Sequence, residues 1–143
     1  MAALDEITRA TSCAQVADHI NPHVLAQHPE RDALRGKWRK SKERWTARAG
    51  WHLTANCVNK GAEGLDTVVL LDRIDRELAK ASPEVQWTMN NTLMAIGVHQ
   101  AAQRQCSIAI GERIGLYRDW PVSKGCIIPY VPVCVPALVM WLP

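Results

Sequence analysis

Between Arg35 and Arg48, seven basic side chains (Arg35, Lys37, Arg39, Lys40, Lys42, Arg44 and Arg48) stand against one acid, Glu43. Trp38, Trp45 and Trp51 are spaced through the same region. Such cations neutralise phosphates and release their counterions, and indole faces stack on bases, sugars or cations. The stretch has the composition of a surface that meets an anionic polymer. The competing reading is a solvated helix face whose tryptophans point inward. The charge is local: these positions hold seven of the 17 basic residues in a chain whose net charge is only +3.

The other reactive side chains exclude more than they suggest. His19 and His23 have the four-residue spacing of a helical metal pair, but Pro22 lies between them and no cysteine or carboxylate partner is evident, so no metal is assigned. Five cysteines, an odd number without a Cys-x-x-Cys pair, suggest reduced thiols in a cytoplasmic protein. Asp5, Glu6 and Arg9 interrupt the apolar run that a signal peptide needs.

The elements that must position these groups read as helices joined by short turns. The pattern predicts a short helix over Ala2 to Ala10, then one from Cys13 toward His28 capped by Ser12 and divided at Pro22. Arg31 to Arg39 and Lys42 to Val58 follow, with Ser41 as N-cap and Asn59-Lys60-Gly61 as a stop. From Leu65 to Ala81, Leu65, Val68, Val69, Leu71, Leu78 and Ala79 form an apolar stripe. Ser82-Pro83-Glu84 starts a helix to about His99 that buries Val85, Met89, Leu93 and Ile96. Gln100 to Gly111 or Ile114 is the last, through Ala102, Cys106, Ala109 and Ile110, and beyond Gly115 the regularity ends.

A weak internal repeat organises these helices. Trp45-Thr46-Ala47-Arg48 through Leu53 precedes Val85-Gln86-Trp87-Thr88 through Leu93 by 40 positions, and Leu53, Ala55 and Val58 match Leu93, Ala95 and Val98. That period suits stacked helix pairs. The expected fold is all-α, with HEAT-like helical repeats forming an α-α superhelix. A chain of 143 residues fits a single such domain, 1–143. Large indoles at helical spacing are more often core than ligand platforms, so at least two of Trp45, Trp51 and Trp87 are expected inside.

Several segments resemble AlkD-like DNA alkylation repair proteins. These are Pro83-Glu84-Val85-Gln86-Trp87-Thr88-Met89-Asn90-Asn91, then Ile96-Gly97-Val98-His99, Ala109-Ile110-Gly111-Glu112, and Gly115-Leu116-Tyr117-Arg118-Asp119-Trp120-Pro121-Val122-Ser123-Lys124-Gly125-Cys126. Trp45-Thr46-Ala47-Arg48 is similar to the family's tryptophan-x-x-arginine helix start. The resemblance runs from about Ser12 to Pro132. It implies a superhelix that cradles double-stranded DNA and a glycosylase that removes cationic N3- or N7-alkylated purines without a metal or organic cofactor. It also implies repeats before the present first helix. A nucleoid-associated place in the cytoplasm would follow in a bacterium.

Carried over residue by residue, the resemblance implies that Arg48 holds a phosphate or orients the strand. It implies that Asp18, in Ala14-Gln15-Val16-Ala17-Asp18, is the catalytic carboxylate. Ala14 and Asn91 fall where the family has aromatic residues, which implies weaker grip on a cationic base unless Trp51 or Trp87 compensates. Lys40, Lys42, Arg44 and Lys124 are the further DNA-binding candidates, Lys124 through Ser123-Lys124-Gly125. The turn Tyr117 to Pro121 is expected to pack the last repeat, with Arg118 and Asp119 pairing locally.

The final segment, 126–143, is rich in proline and apolar side chains and carries no charge. It cannot form a regular membrane-spanning helix. It is expected to pack across the last helices or to mediate self-association. Three functions from different classes compete: a DNA glycosylase, a noncatalytic HEAT-repeat DNA-binding module, and a protein-interaction scaffold.

Overall fold

A computed structural model describes residues 2–61 and 64–142. Met1, Ala62, Glu63 and Pro143, the last of them the end of the apolar segment noted above, lie outside the described residues. Among the described residues there are eight α-helices and no strand: α1 (Ala2–Ala10), α2 (Ala14–His23), α3 (Arg31–Trp38), α4 (Arg44–Asn59), α5 (Thr67–Glu77), α6 (Pro83–His99), α7 (Arg104–Ile114) and α8 (Val131–Val139). The array is all-α, as the helical-repeat reading expects.

Helix starts follow the local chemistry more finely than the pattern implies. Cys13, not Ser12, precedes α2, and Pro22 sits in its last turn, after which the chain tightens into a 3-10 turn at Leu25–Gln27. α4 begins after Glu43, not Ser41. The Glu43 carboxylate accepts from the backbone N–H of Trp45 and Thr46 (3.1 and 2.6 Å), a negative charge at the positive end of the helix. Asp66 does the same for α5 through the Val68 and Val69 N–H groups.

α4 and α6 lie side by side at the centre, and the matched positions Leu53/Leu93, Ala55/Ala95 and Val58/Val98 are all buried. Thr92 Oγ1 donates to the Trp51 carbonyl (3.1 Å), tying one helix to the other. One core gathers Leu4, Leu25, Leu34, Trp38 and Leu53 between α1, α3 and α4. A second gathers Trp51, Leu71, Ile74, Met89, Ile96 and Val135 among α4, α5, α6 and α8. Gly50 lets α3 approach α4, since a Cβ there would stand 2.4 Å from the Arg39 nitrogen.

Two expected faces are corrected. Val68 and Val69 are 61% and 60% exposed, because they occupy the first turn after the Asp66 cap while Leu70, Leu71 and Ile74 face α6. Ile110 is buried as expected, but Ala102, Cys106 and Ala109 are exposed, and α7 buries Ser107 and Gly111 instead. Small side chains do not fix a helix's phase; the close approach of its neighbour does.

That neighbour is α8, where regular structure was not expected. Pro132 falls in its first turn, where no N–H is needed, so proline there is tolerated; Pro136 removes one internal bond. Val131 and Val135, one turn apart, seat on glycines: a Cβ at Gly111 would come within 2.7 Å of Val131 Cβ, and one at Gly97 within 2.9 Å of Val135 Cγ2. The tail thus packs across α6 and α7. Met140 and Trp141 remain exposed beyond it. Among the described residues no helix is long and apolar enough to cross a membrane.

Candidate nucleic-acid interface

A cleft of about 920 Å³ opens between α2, the first turns of α4 and α6, and the loop from Gly115 to Pro121. Asp18 of α2 and Arg48 of α4 meet in it, with Arg48 Nη2 donating to Asp18 Oδ1 at 2.5 Å. Their environments differ: the Arg48 side chain is 3% exposed and that of Asp18 50%. Arg48 Nη1 donates to the Glu84 carbonyl (3.1 Å), and the guanidinium lies 5.9 Å from the Trp45 ring centroid. A buried guanidinium is tolerated only when so partnered.

This geometry changes the part expected of Arg48. Its two terminal nitrogens are engaged by Asp18 and the α6 backbone, its Nε is buried without an acceptor, and little of it reaches solvent. In this arrangement its Nη2 is the donor that fixes Asp18 Oδ1.

The opposite wall is aromatic. Trp87 of α6 meets Tyr117 edge-on (centroids 5.5 Å apart) and Trp120 at 6.1 Å, and Tyr117 meets Trp120 at 5.0 Å. The loop can bring its two rings here because Gly115 ends α7 in the left-handed region (φ 69°) and Tyr117 adopts it as well (φ 63°). For a residue with a Cβ this conformation costs roughly 1–2 kcal/mol, and such strain collects at sites where a side chain must be aimed. Burial raises the Tyr117 hydroxyl above its ordinary pKa, opposed by the nearby Arg48 charge, so the phenol stays neutral at pH 7.

The other expected site residues divide. Trp51 is 1% exposed and does not line the cleft; it belongs to the core and to a separate basic groove. Asn91 also lies away from the cleft, so the aromatic that α6 supplies is Trp87, one turn earlier. Trp45 is buried with one edge in the cleft wall, and Ala14 lines the rim without contributing a ring. Arg44 pairs with Glu84 (3.4 Å) beside the cleft, and Lys42 lies in the basic groove. Lys40 and Lys124 are exposed and line neither, Lys124 on the turn that Gly125 closes. Arg118 bonds the Tyr130 hydroxyl (3.3 Å) and the Glu112 carbonyl (3.4 Å) instead of pairing with Asp119.

Tyr117 and Trp120 were missed as cleft residues. The signal was present, two aromatics three apart just after a helix-ending glycine, but it also fits a packing turn. His52 lies one turn beyond Arg48 on α4, and nothing in its sequence context marks it as a neighbour of the Asp18–Arg48 pair. Burial pushes its imidazole below the ordinary value, Asp18 pulling upward and Arg48 adding to the lowering.

His19 and His23 stack at 4.7 Å between ring centroids. Among the described residues no group of three or more histidine, cysteine or acidic side chains is placed to hold a metal.

No curated protein and no solved structure matches the chain. A family model described as DNA alkylation repair enzyme does, over residues 1–109. The match takes in Asp18, Arg48 and Trp87 and stops before the Tyr117 and Trp120 loop. With 109 of 143 residues inside it, and with the all-helical array that carries the cleft, this chain belongs to the DNA alkylation repair enzyme family.

Proposed function

We propose that this DNA alkylation repair protein is a glycosylase that hydrolyses the N-glycosidic bond of N3- or N7-alkylated purines in double-stranded DNA. The observation that carries the reading is one half-exposed carboxylate, Asp18, held by a buried guanidinium and facing a wall of three aromatic rings.

Each part has a physical role. An alkylated purine is a cation, and ring faces attract cations. As the bond between C1′ and the base nitrogen breaks, its electron pair moves onto the purine and cancels that charge, so no general acid is needed. Positive charge then develops on the sugar. Asp18 stabilises the oxocarbenium-like state, orients the water that bonds to C1′, and takes up the proton which that water loses. Arg48 keeps the carboxylate in place, and its bond to the Glu84 carbonyl keeps Arg48 in place.

The test is release of 3-methyladenine or 7-methylguanine from methylated duplex by the purified protein. Release is expected, and Asp18→Asn is expected to abolish it while the circular dichroism spectrum and duplex affinity stay near those of the parent; the melting temperature should fall, because the buried Arg48 loses its counter-charge. Release undiminished in that variant, or none from the parent, would sink the reading. One observation favours a noncatalytic DNA-binding module instead: Ala14 brings no ring to the Asp18 side of the cleft. Salt-sensitive duplex binding without base release would be its signature.

A further inference from the structure

A second groove, of about 390 Å³, lies on a different face of α4 and α6, between the α3–α4 turn, α5 and the start of α6. The Arg44–Glu84 pair separates it from the cleft. Six cations line it (Arg39, Lys42, Arg44, Arg73, Arg76 and Lys80) against one acid, Glu77. Three of the six are neutralised locally: Arg73 by Glu77, Arg76 by Asp72 (2.9 Å each) and Arg44 by Glu84. Among the described residues Arg39, Lys42 and Lys80 have no acidic partner.

Like charges are held together here at some cost. The Trp51 ring is contacted by both guanidinium groups, with Arg39 5.7 Å and Arg73 5.2 Å from its centroid, and Arg73 Nη2 donates to the Arg39 carbonyl at 2.6 Å. Two further donors at the groove, Arg39 Nε and the Ser82 hydroxyl, are buried without an acceptor. Buried donors are rarely left so. Burial, with Arg73 and Arg35 adding to it, pushes the Arg39 guanidinium below its ordinary value, as expected for cations awaiting a counter-charge.

We infer that this groove is a phosphate site that takes a backbone phosphate of the strand running past the mouth of the cleft. An oxyanion there gives Lys42 and Lys80 their missing charge and offsets the repulsion between the neighbouring Arg39 and Arg73 guanidinium groups. A phosphodiester suits it better than a free anion, because the cations are spread along an open groove that adjoins the cleft across a single ion pair. The inference rests on the DNA reading above but not on the hydrolysis.

The experiment measures duplex affinity between roughly 50 and 200 mM salt for the parent, for Lys42→Gln/Lys80→Gln, for Arg76→Gln and for Lys60→Gln at the far end of α4. The groove double variant should lose about tenfold in affinity at the low-salt end, and its log–log salt slope should become shallower by about 1 to 2. Arg76→Gln should shift the slope the same way by less, and Lys60→Gln should leave it unchanged. Circular dichroism and melting temperature report that each variant is folded. A parental slope in the double variant, or no duplex binding by the parent, overturns the inference. So does a rise in melting temperature with inorganic phosphate if the duplex slope stays parental in the double variant, since the groove would then hold a free anion. Base release separates the two readings: if no version releases base but the slope difference persists, hydrolysis falls and the phosphate site stands.

Discussion

The cleft and the groove share two helices and handle charge in opposite ways. In the cleft, a buried cation has found its partner: Arg48 is held by Asp18, by the Glu84 carbonyl and by the Trp45 face. In the groove, Arg39, Lys42 and Lys80 have none among the described residues, and two donors are orphaned. Both sites bury an unpaired guanidinium N–H, Arg48 Nε and Arg39 Nε, so what separates them is the counter-charge: Arg48 has a carboxylate beside it, and the groove cations without one are open to an anion from outside. The basic stretch first noted in the sequence is divided between these two uses, since Arg48 serves the cleft and Arg39 and Lys42 serve the groove.

The largest effect expected from breaking this contrast is on the cleft. Asp18→Asn keeps an acceptor for Arg48 but removes the charge, and base release from methylated duplex should fall at least about 100-fold, or about 3 kcal/mol of transition-state stabilisation. A single-turnover assay checks this. Gly50→Ala attacks the other side: its methyl would strike the backbone of Trp38 and Arg39, displacing the residue that organises the groove. Overpacking of this kind costs about 1–3 kcal/mol, to be read from denaturant midpoints, and the salt slope of duplex binding should fall with it.

Trp87→Ala should weaken discrimination between alkylated and unmodified duplex about tenfold, on the roughly 1–3 kcal/mol that a stacked ring supplies. Competition binding measures it, and unchanged discrimination would show that the aromatic wall is only packing.

The smallest effect concerns His52, which senses both Asp18 and Arg48. Its folded-state pKa is lowered, so below about 6.5 the unfolded chain binds a proton that the folded one resists. The corresponding stability is complete above that value and is lost as pH falls through it. Melting temperature should drop between about pH 7 and pH 5, and His52→Gln should flatten part of that drop.

Much of the scaffold was legible in the chain. Ser82-Pro83-Glu84 marked the start of α6, and the stripe Val85, Met89, Leu93 and Ile96 is buried as its spacing implies. The 40-residue offset found the two helices that pack at the centre. The errors have common physical causes. Caps by Glu43 and Asp66 set helix phase over one or two residues, finer than hydrophobic period resolves. In the tail, the prolines argued against a membrane-spanning helix and the regular pattern ended at Gly115, but Pro132 is harmless in a first turn, and Gly97 and Gly111 offer a close-packed seat 20 or more positions away.

The site was legible only in part, and for a related reason. Arg48 and Asp18 were named from a resemblance, but nothing in the chain's order says that residues 30 positions apart bond at 2.5 Å, or that the arginine is buried by doing so. Trp51 and Trp87 are equally aromatic in sequence. One faces two arginines in the core and the other faces Tyr117 and Trp120 across a cleft.

By itself, then, the sequence determined the helices, their repeat and the local excess of positive charge, because these depend on neighbours within a few turns. Only the tertiary structure decided which cations are paired, which tryptophans meet solvent and where a carboxylate points. Those outcomes depend on desolvation and on partners that the fold brings together from distant positions.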